Sequence, residues 1–210
     1  MRLLIAIPSL DFVHVEFLKS LTALVMRLKN DGVDFEVSIE SGTLVYVARD
    51  KLAQKAVNGG FTHVLWLDAD MVFSDNILED LMFSGHDFVS GIAHGRRPPH
   101  LSCLFESLSP VTRFTSKYPS ETFEVAGCGF GCVLITTEIL KQVMLNAKAC
   151  FMPMAAYGED LAFCLRASRI GVKIYAEPTV RLGHIGHIAI YPEDMDRWFE
   201  QLQKQEDTHA

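Results

Sequence analysis

The chain is 210 residues long, 49% of them apolar and 21% charged, with a formal net charge of −7. That length bounds it to one domain or one plus a small appendage, taken as a single domain over 1–210 with a helical tail over about 192–207, and the apolar share excludes a disordered chain. The acidic balance forces no basic face, so nucleic acid is not expected as a partner.

The opening Met-Arg-Leu-Leu-Ile-Ala-Ile-Pro has the apolar look of a secretory leader. Pro8 and Asp11 cut it short and no small-residue cleavage site follows, so Leu3 to Ile7 reads as a first buried strand. Asp11 is expected to cap a helix with Val13, Phe17, Leu21, Leu24, Val25 and Leu28 in helical period, stopped by Asn30-Asp31-Gly32. Phe35, Val37 and Ile39 alternate with Glu36 and Ser38, which gives a second strand with one more polar face. A second helix carries Val45, Ala48, Leu52 and Ala56 and ends at Asn58-Gly59-Gly60. Val64 to Leu67 then form an apolar run typical of a strand buried on both faces, and the run ends in Asp68-Ala69-Asp70. Ser74 is placed to cap a third helix, with Ile77, Leu78, Leu81 and Met82 facing in.

This β-α-β-α-β-α order predicts an α/β fold: a mostly parallel, right-handed sheet with helices on its faces. Asp87 to Gly91 reads as a short fourth strand. From His94 to Val125 the rhythm breaks, and hairpin or loop structure over the sheet edge is expected. A glycine turn from Val125 to Cys132 feeds a strand at Val133-Leu134-Ile135, and Thr136 or Thr137 caps the helix after it. Tyr157-Gly158-Glu159-Asp160 opens another helix, with Leu161, Cys164, Leu165 and Ser168 inward. Val172 to Ala176 is a late strand, Arg181 to His187 a glycine-spaced loop, and Met195, Trp198, Phe199 and Leu202 mark a terminal helix. No apolar stretch approaches the roughly 20 residues of a membrane span. Five cysteines form no paired framework, which suits reduced thiols and a cytoplasmic protein. Cys128 and Cys132 lack the second Cys/His pair that a zinc site needs.

Two carboxylates cannot stay unpaired inside a sheet, so Asp68 and Asp70 belong at the carboxyl end of their strand, where open α/β sheets bind ligands. In an extended segment residues i and i+2 point the same way, so both can face one hard divalent cation carrying a phosphate. The alternative is a capping or loop role. Gly127-Cys128-Gly129-Phe130-Gly131 fits neither phosphate-loop pattern, and it reads either as a tight turn or as room for a bulky ligand such as a sugar. Glu159 and Asp160 either complement a helix dipole or supply a general base to an acceptor hydroxyl. His184 or His187 could add an imidazole to the aspartate site, tilting it toward Mn²⁺ over Mg²⁺. Arg49, Arg96 and Arg97 are candidate phosphate partners, with a solvated surface arginine as the plainer reading of each.

With these segments in this order, the chain resembles glycosyltransferases of the GT-A fold. The likeness is closest to small bacterial and phage-type members of the family-2 kind, with runs like Leu-Trp-Leu-Asp-Ala-Asp-Met-Val-Phe and Gly-Glu-Asp-Leu-x-Phe-Cys-x-Arg. The resemblance implies that Asp70 binds Mn²⁺ or Mg²⁺ directly, that Asp68 contacts the ribose or a metal-bound water, and that His184 joins the metal site. By the same resemblance Pro8, Ser9 and Asp11 receive the nucleotide base, with Arg49 and Ala69 near the nucleotide. Asp160 with Glu159 would be the catalytic acids, and Gly127, Gly129, Gly131, Gly158 and His187 would line the sugar and acceptor side. The implied donor is a UDP- or GDP-sugar, and the acceptor is open because the chain lacks the long acceptor-binding extension of larger members. Two other readings compete: a nucleotidyltransferase, against which the loop after the first strand counts for lacking a basic glycine-rich signature, and a non-catalytic nucleotide-sugar-binding scaffold.

Overall fold

Leu3 to Ile7 are fully buried, and their side chains alternate between two cores as strand geometry requires. In a computed structural model that describes residues 1–109, 111–186 and 189–208, they form β1 (Arg2–Pro8), second from one edge of a seven-stranded sheet. Leu3, Ile5 and Ile7 face α1 (Val15–Asn30), while Leu4 and Ala6 face α2 (Val45–Asn58). β1 pairs in parallel with β2 (Asp34–Glu40) on one side and β3 (His63–Leu67) on the other. After β3 come the short β4 (Met71–Val72), α3 (Ile77–Phe83) and β5 (Phe88–Ile92).

The segment after residue 93 folds as a small hairpin, β6 (Leu104–Ser107) with β7 (Arg113–Phe114), joined by β9 (Gly127–Cys128). β8 (Phe123–Val125) instead closes the edge of the main sheet. β10 (Cys132–Thr136) leads to α4 (Thr137–Asn146) and α5 (Glu159–Arg169), then β11 (Ile174–Arg181), β12 (Gly183–Ile185), β13 (Ala189–Ile190) and α6 (Pro192–Thr208). The main order is β2-β1-β3-β10-β5-β11-β8.

β10 runs antiparallel between β3 and β5, with Cys132 opposite Leu67. An apolar run such as Val133–Ile135 has no direction in its sequence. Its reversal decides the site, because the start of β10, and the glycine turn before it, lie beside the ends of the parallel strands. A second three-stranded sheet, β13-β12-β4, ties the segment after Asp70 to the late loop.

The two cores hold this layer rigid. Trp66, Phe88, Phe130, Phe151 and Phe163 are essentially inaccessible and meet edge-on or stacked at centroid separations of 4.6–6.0 Å. Each such buried ring contributes about 1.5–3 kcal/mol.

Several local expectations change. α1 starts at Val15 with His14 at its N-cap position, so Asp11 stays in the preceding loop. α3 starts at Ile77 with Asn76 before it, and Ser74 contributes only a backbone carbonyl to the Ile77 N–H at 3.4 Å. The inward face of α5 is Ala162, Phe163, Cys164 and Ala167, a quarter-turn from the expected stripe, since Phe163 fills the aromatic core. All five cysteines are free thiols. Among the described residues no helix is long and apolar enough to cross a membrane. His187 and the side chain of Leu202 lie outside the described residues.

Candidate active site at the carboxyl end of the third strand

β3 gives way at Asp68 to a turn closed by the Met71 N–H donating to the Asp68 carbonyl at 3.1 Å. The turn is pinned on three sides. The Asp68 N–H donates to the Gly131 carbonyl (3.0 Å), the Ile185 N–H to the Asp70 carbonyl (2.8 Å), and the His14 N–H to the Ala69 carbonyl (3.3 Å). Because the chain turns here and does not stay extended, the two carboxylates take different partners, contrary to the i, i+2 expectation.

Asp70 turns to His184, whose Nε2 stands 3.5 Å from Asp70 Oδ2. Pairing of β4 with β12 sets His184 opposite Met71, which is how a residue from near the chain's end reaches the aspartate. His184 Nδ1 lies 2.7 Å from the His94 carbonyl oxygen. A carbonyl only accepts, so Nδ1 carries a proton, and the hydrogen bond to Asp70 has Nε2–H as its donor; a ring without that proton would turn its Nε2 lone pair to the same place. Arg96 Nη1 approaches the same Asp70 oxygen at 3.1 Å. Burial works against the Asp70 anion, but the His184 hydrogen bond and the charges of His184 and Arg96 outweigh it and hold the carboxyl below its usual value.

Asp68 turns instead to Arg49, which is 2% exposed within α2. Arg49 Nη2 donates to Asp68 Oδ1 at 2.9 Å, and Nη1 makes a short hydrogen bond to Asp160 Oδ1. The guanidinium carbon lies 5.2 Å from the Phe130 ring centroid and 5.9 Å from that of Phe151. One planar fork thus joins the end of β3 to the first turn of α5. Asp160 Oδ2 accepts the Phe130 N–H at 3.2 Å, so the glycine turn orients it as well. Burial pushes Asp68 up to about 7, against the pull of Arg49, and also raises Asp160, where Arg49 and the Phe130 N–H pull back. The Arg49 guanidinium, which burial alone would lower, is held above its usual value by the two aspartates.

Above these groups opens a cleft of about 630 Å³. Its wall takes Asp160, Glu159 and Gly158 from the start of α5, Gly129 from the glycine turn, His184 from β12, and Arg96 and Arg97 from the loop before β6. Phe105 and Phe114 of the hairpin close its far end. Of the glycines, Gly129 and Gly158 line the cleft. Gly127 packs on Leu108 and Leu161, and a Cβ at Gly131 would stand 2.9 Å from Met71 Cε, so both serve packing. Pro8, Ser9 and Asp11 sit at the end of β1. Ser9 Oγ donates to the Phe12 carbonyl (3.0 Å), Asp11 is exposed, and the His14–Ala69 hydrogen bond keeps this loop against the aspartate turn.

Among the described residues no group of three or more His, Cys, Asp or Glu side chains stands close enough to hold a metal ion. Asp70 and His184 stand as a pair, with Asp68 engaged by Arg49. The sequence reading missed two features. Arg49 is not the solvated surface arginine of the plainer reading: it lies at i+4 from Val45 and i−4 from Ala53, on the apolar stripe of α2, which is a legible sign of a buried cation. The His94 carbonyl that fixes His184 had no sequence signal.

The sheet order, its reversed strand and the position of the aspartate turn define a GT-A-like fold. The chain is similar to the crystal structure of A197 from STIV, with a TM-score of 0.64 and 22% identity over 92% of each chain. It is also similar to the catalytic domain of Drosophila beta1,4-galactosyltransferase 7, solved in complex with xylobiose, with a TM-score of 0.52 and 16% identity over 84% of this chain and 64% of that one. At those identities the likeness is one of fold. No protein-family model and no curated protein sequence matches the chain.

Proposed function

We propose that the chain is a metal-dependent glycosyltransferase that moves a sugar from a nucleotide-diphosphate sugar to an acceptor hydroxyl. The observation that carries the reading is that His184 and Asp160, from distant parts of the chain, line one cleft, with Asp70 standing behind His184 at 3.5 Å.

The donor set fits a divalent cation. Asp70 is held ionised, and His184 aims Nε2 at it from a ring oriented by the His94 carbonyl. Mg²⁺ and Mn²⁺ take few protein donors and complete their shells with water and substrate phosphates, so two suffice, and the imidazole favours Mn²⁺. When bound, the ion would act as a Lewis acid on diphosphate oxygens where charge develops as the sugar leaves.

The chain's own residues divide the remaining work. The loop after β1 and the Ala69 turn border the place for the nucleotide. Asp160 faces the cleft with one oxygen fixed by Arg49 and the other by the Phe130 N–H, and its raised pKa suits a base that takes the acceptor proton in an inverting transfer. In a retaining transfer the same carboxylate would position substrate. Glu159 adds a second acid to the cleft wall.

The test is hydrolysis profiling by mass spectrometry over a panel of UDP- and GDP-sugars with Mn²⁺. Metal-dependent release of the nucleoside diphosphate from one donor is expected. No release from any donor, with or without metal, contradicts the reading.

A further inference from the structure

Asp70 Oδ2 is approached from two sides by groups that compete for it. His184 Nε2 stands at 3.5 Å and Arg96 Nη1 at 3.1 Å. Arg96 belongs to a loop whose backbone is tied at its base and across its tip, where the His100 N–H donates to the Arg97 carbonyl at 2.9 Å. His94 bridges to Ser102, the Gly95 N–H donates to the Leu101 carbonyl at 2.9 Å, and His100 Nδ1 meets the Gly95 carbonyl at 2.8 Å. The Arg96 side chain is 51% exposed and lines the cleft. Its backbone anchor is therefore fixed while its guanidinium can swing.

We infer that Arg96 is an exchangeable cation: it leaves Asp70 when a divalent ion binds there and takes a bidentate hold on the donor diphosphate. This rests on the proposed donor site. Electrostatics favour the exchange. A carboxylate shared by a guanidinium and a divalent ion puts like charges in contact, which is unfavourable unless an anion joins them. A diphosphate supplies that anion, and planar arginine forks match phosphate oxygens. Arg96 therefore opposes metal bound alone and supports metal bound with diphosphate.

The two effects have opposite signs, so one substitution separates them. Mn²⁺ alone is titrated by loss of the free-ion paramagnetic resonance signal, and Mn²⁺ with UDP or GDP by calorimetry. Arg96→Ala is expected to bind Mn²⁺ alone about twofold to fivefold more tightly, as removal of a partly exposed ion pair allows. It is expected to bind the Mn²⁺–nucleotide complex about tenfold or more weakly, through loss of charge-assisted hydrogen bonds. Arg96→Lys keeps the charge without the fork, so its Mn²⁺ affinity stays near wild type while nucleotide binding recovers only in part. If both affinities move the same way in Arg96→Ala, or neither moves, the exchange is wrong although the donor site stands. A wild-type protein that takes neither nucleotide with Mn²⁺ overturns the donor site and the exchange together.

Discussion

Asp68 has one side-chain partner, Arg49, which is 2% exposed and is itself held by the Phe130 and Phe151 rings and by Asp160 in the first turn of α5. Around Asp70 the partners are a histidine on a short strand and a half-exposed arginine on a loop tip. The two aspartates are separated by one alanine, yet burial lifts one pKa to about 7 while its neighbours lower the other. The difference teaches how one turn can do two jobs. Asp68 is tied through Arg49 to α5, and Asp70 is held ionised by partners on a short strand and a loop.

The division can be broken most severely at Asp70. Asp70→Ala should abolish any thermal shift given by Mn²⁺ with UDP or GDP, measured against the melting temperature of the same ligand-free variant; a retained shift would place the ion elsewhere. Asp160→Asn tests the bridge between the halves. It should keep metal–nucleotide binding by calorimetry but lower transfer by about 10²- to 10⁴-fold, the usual worth of a general base. Equal transfer rates would remove Asp160 from the chemistry.

Arg49→Met tests the brace itself. Removing one member of a buried ion cluster strands charge, which costs about 3–5 kcal/mol. Urea denaturation of the variant should show that loss, and a variant as stable as wild type would mean that Asp68 and Asp160 need no cation. The smallest effect is in the pH dependence of metal-free protein. Asp68, with its pKa raised from 3.8 to about 7, favours folding at low pH and withdraws that contribution as pH rises through 7. Asp70, with its pKa lowered, contributes above 3.8 and loses that as pH falls further. Asp68→Asn should therefore gain on wild type in urea midpoint between pH 4 and 7, whereas the deficit of Asp70→Asn should shrink only at more acid pH. Parallel profiles for both would erase the contrast.

Much of this was legible in residues whose meaning is local. The run Val64–Leu67 could only be an interior strand, and two acids directly after it could only be at its exposed end. Glu159 and Asp160 do open a helix. What depended on distant pairing was not legible. Val133–Ile135 reads as a strand in either direction, and only its place between β3 and β5 brings Gly129 and the Phe130 N–H to Asp160. Nothing near His184 says that Gly183 and His184 will pair with Val72 and Met71. The extended-chain argument for Asp68 and Asp70 failed for a physical reason: the Met71 N–H closes a turn that sends the carboxylates to different partners.

The central claim is that Asp70 and His184 hold one ion between them. Electron spin-echo spectroscopy of the Mn²⁺-loaded protein tests it directly, since a coordinated imidazole imprints a nitrogen coupling on the manganese signal. The account predicts that coupling in the wild type and its loss in His184→Gln. A wild-type spectrum without nitrogen coupling, or one whose coupling persists in His184→Gln, would contradict it.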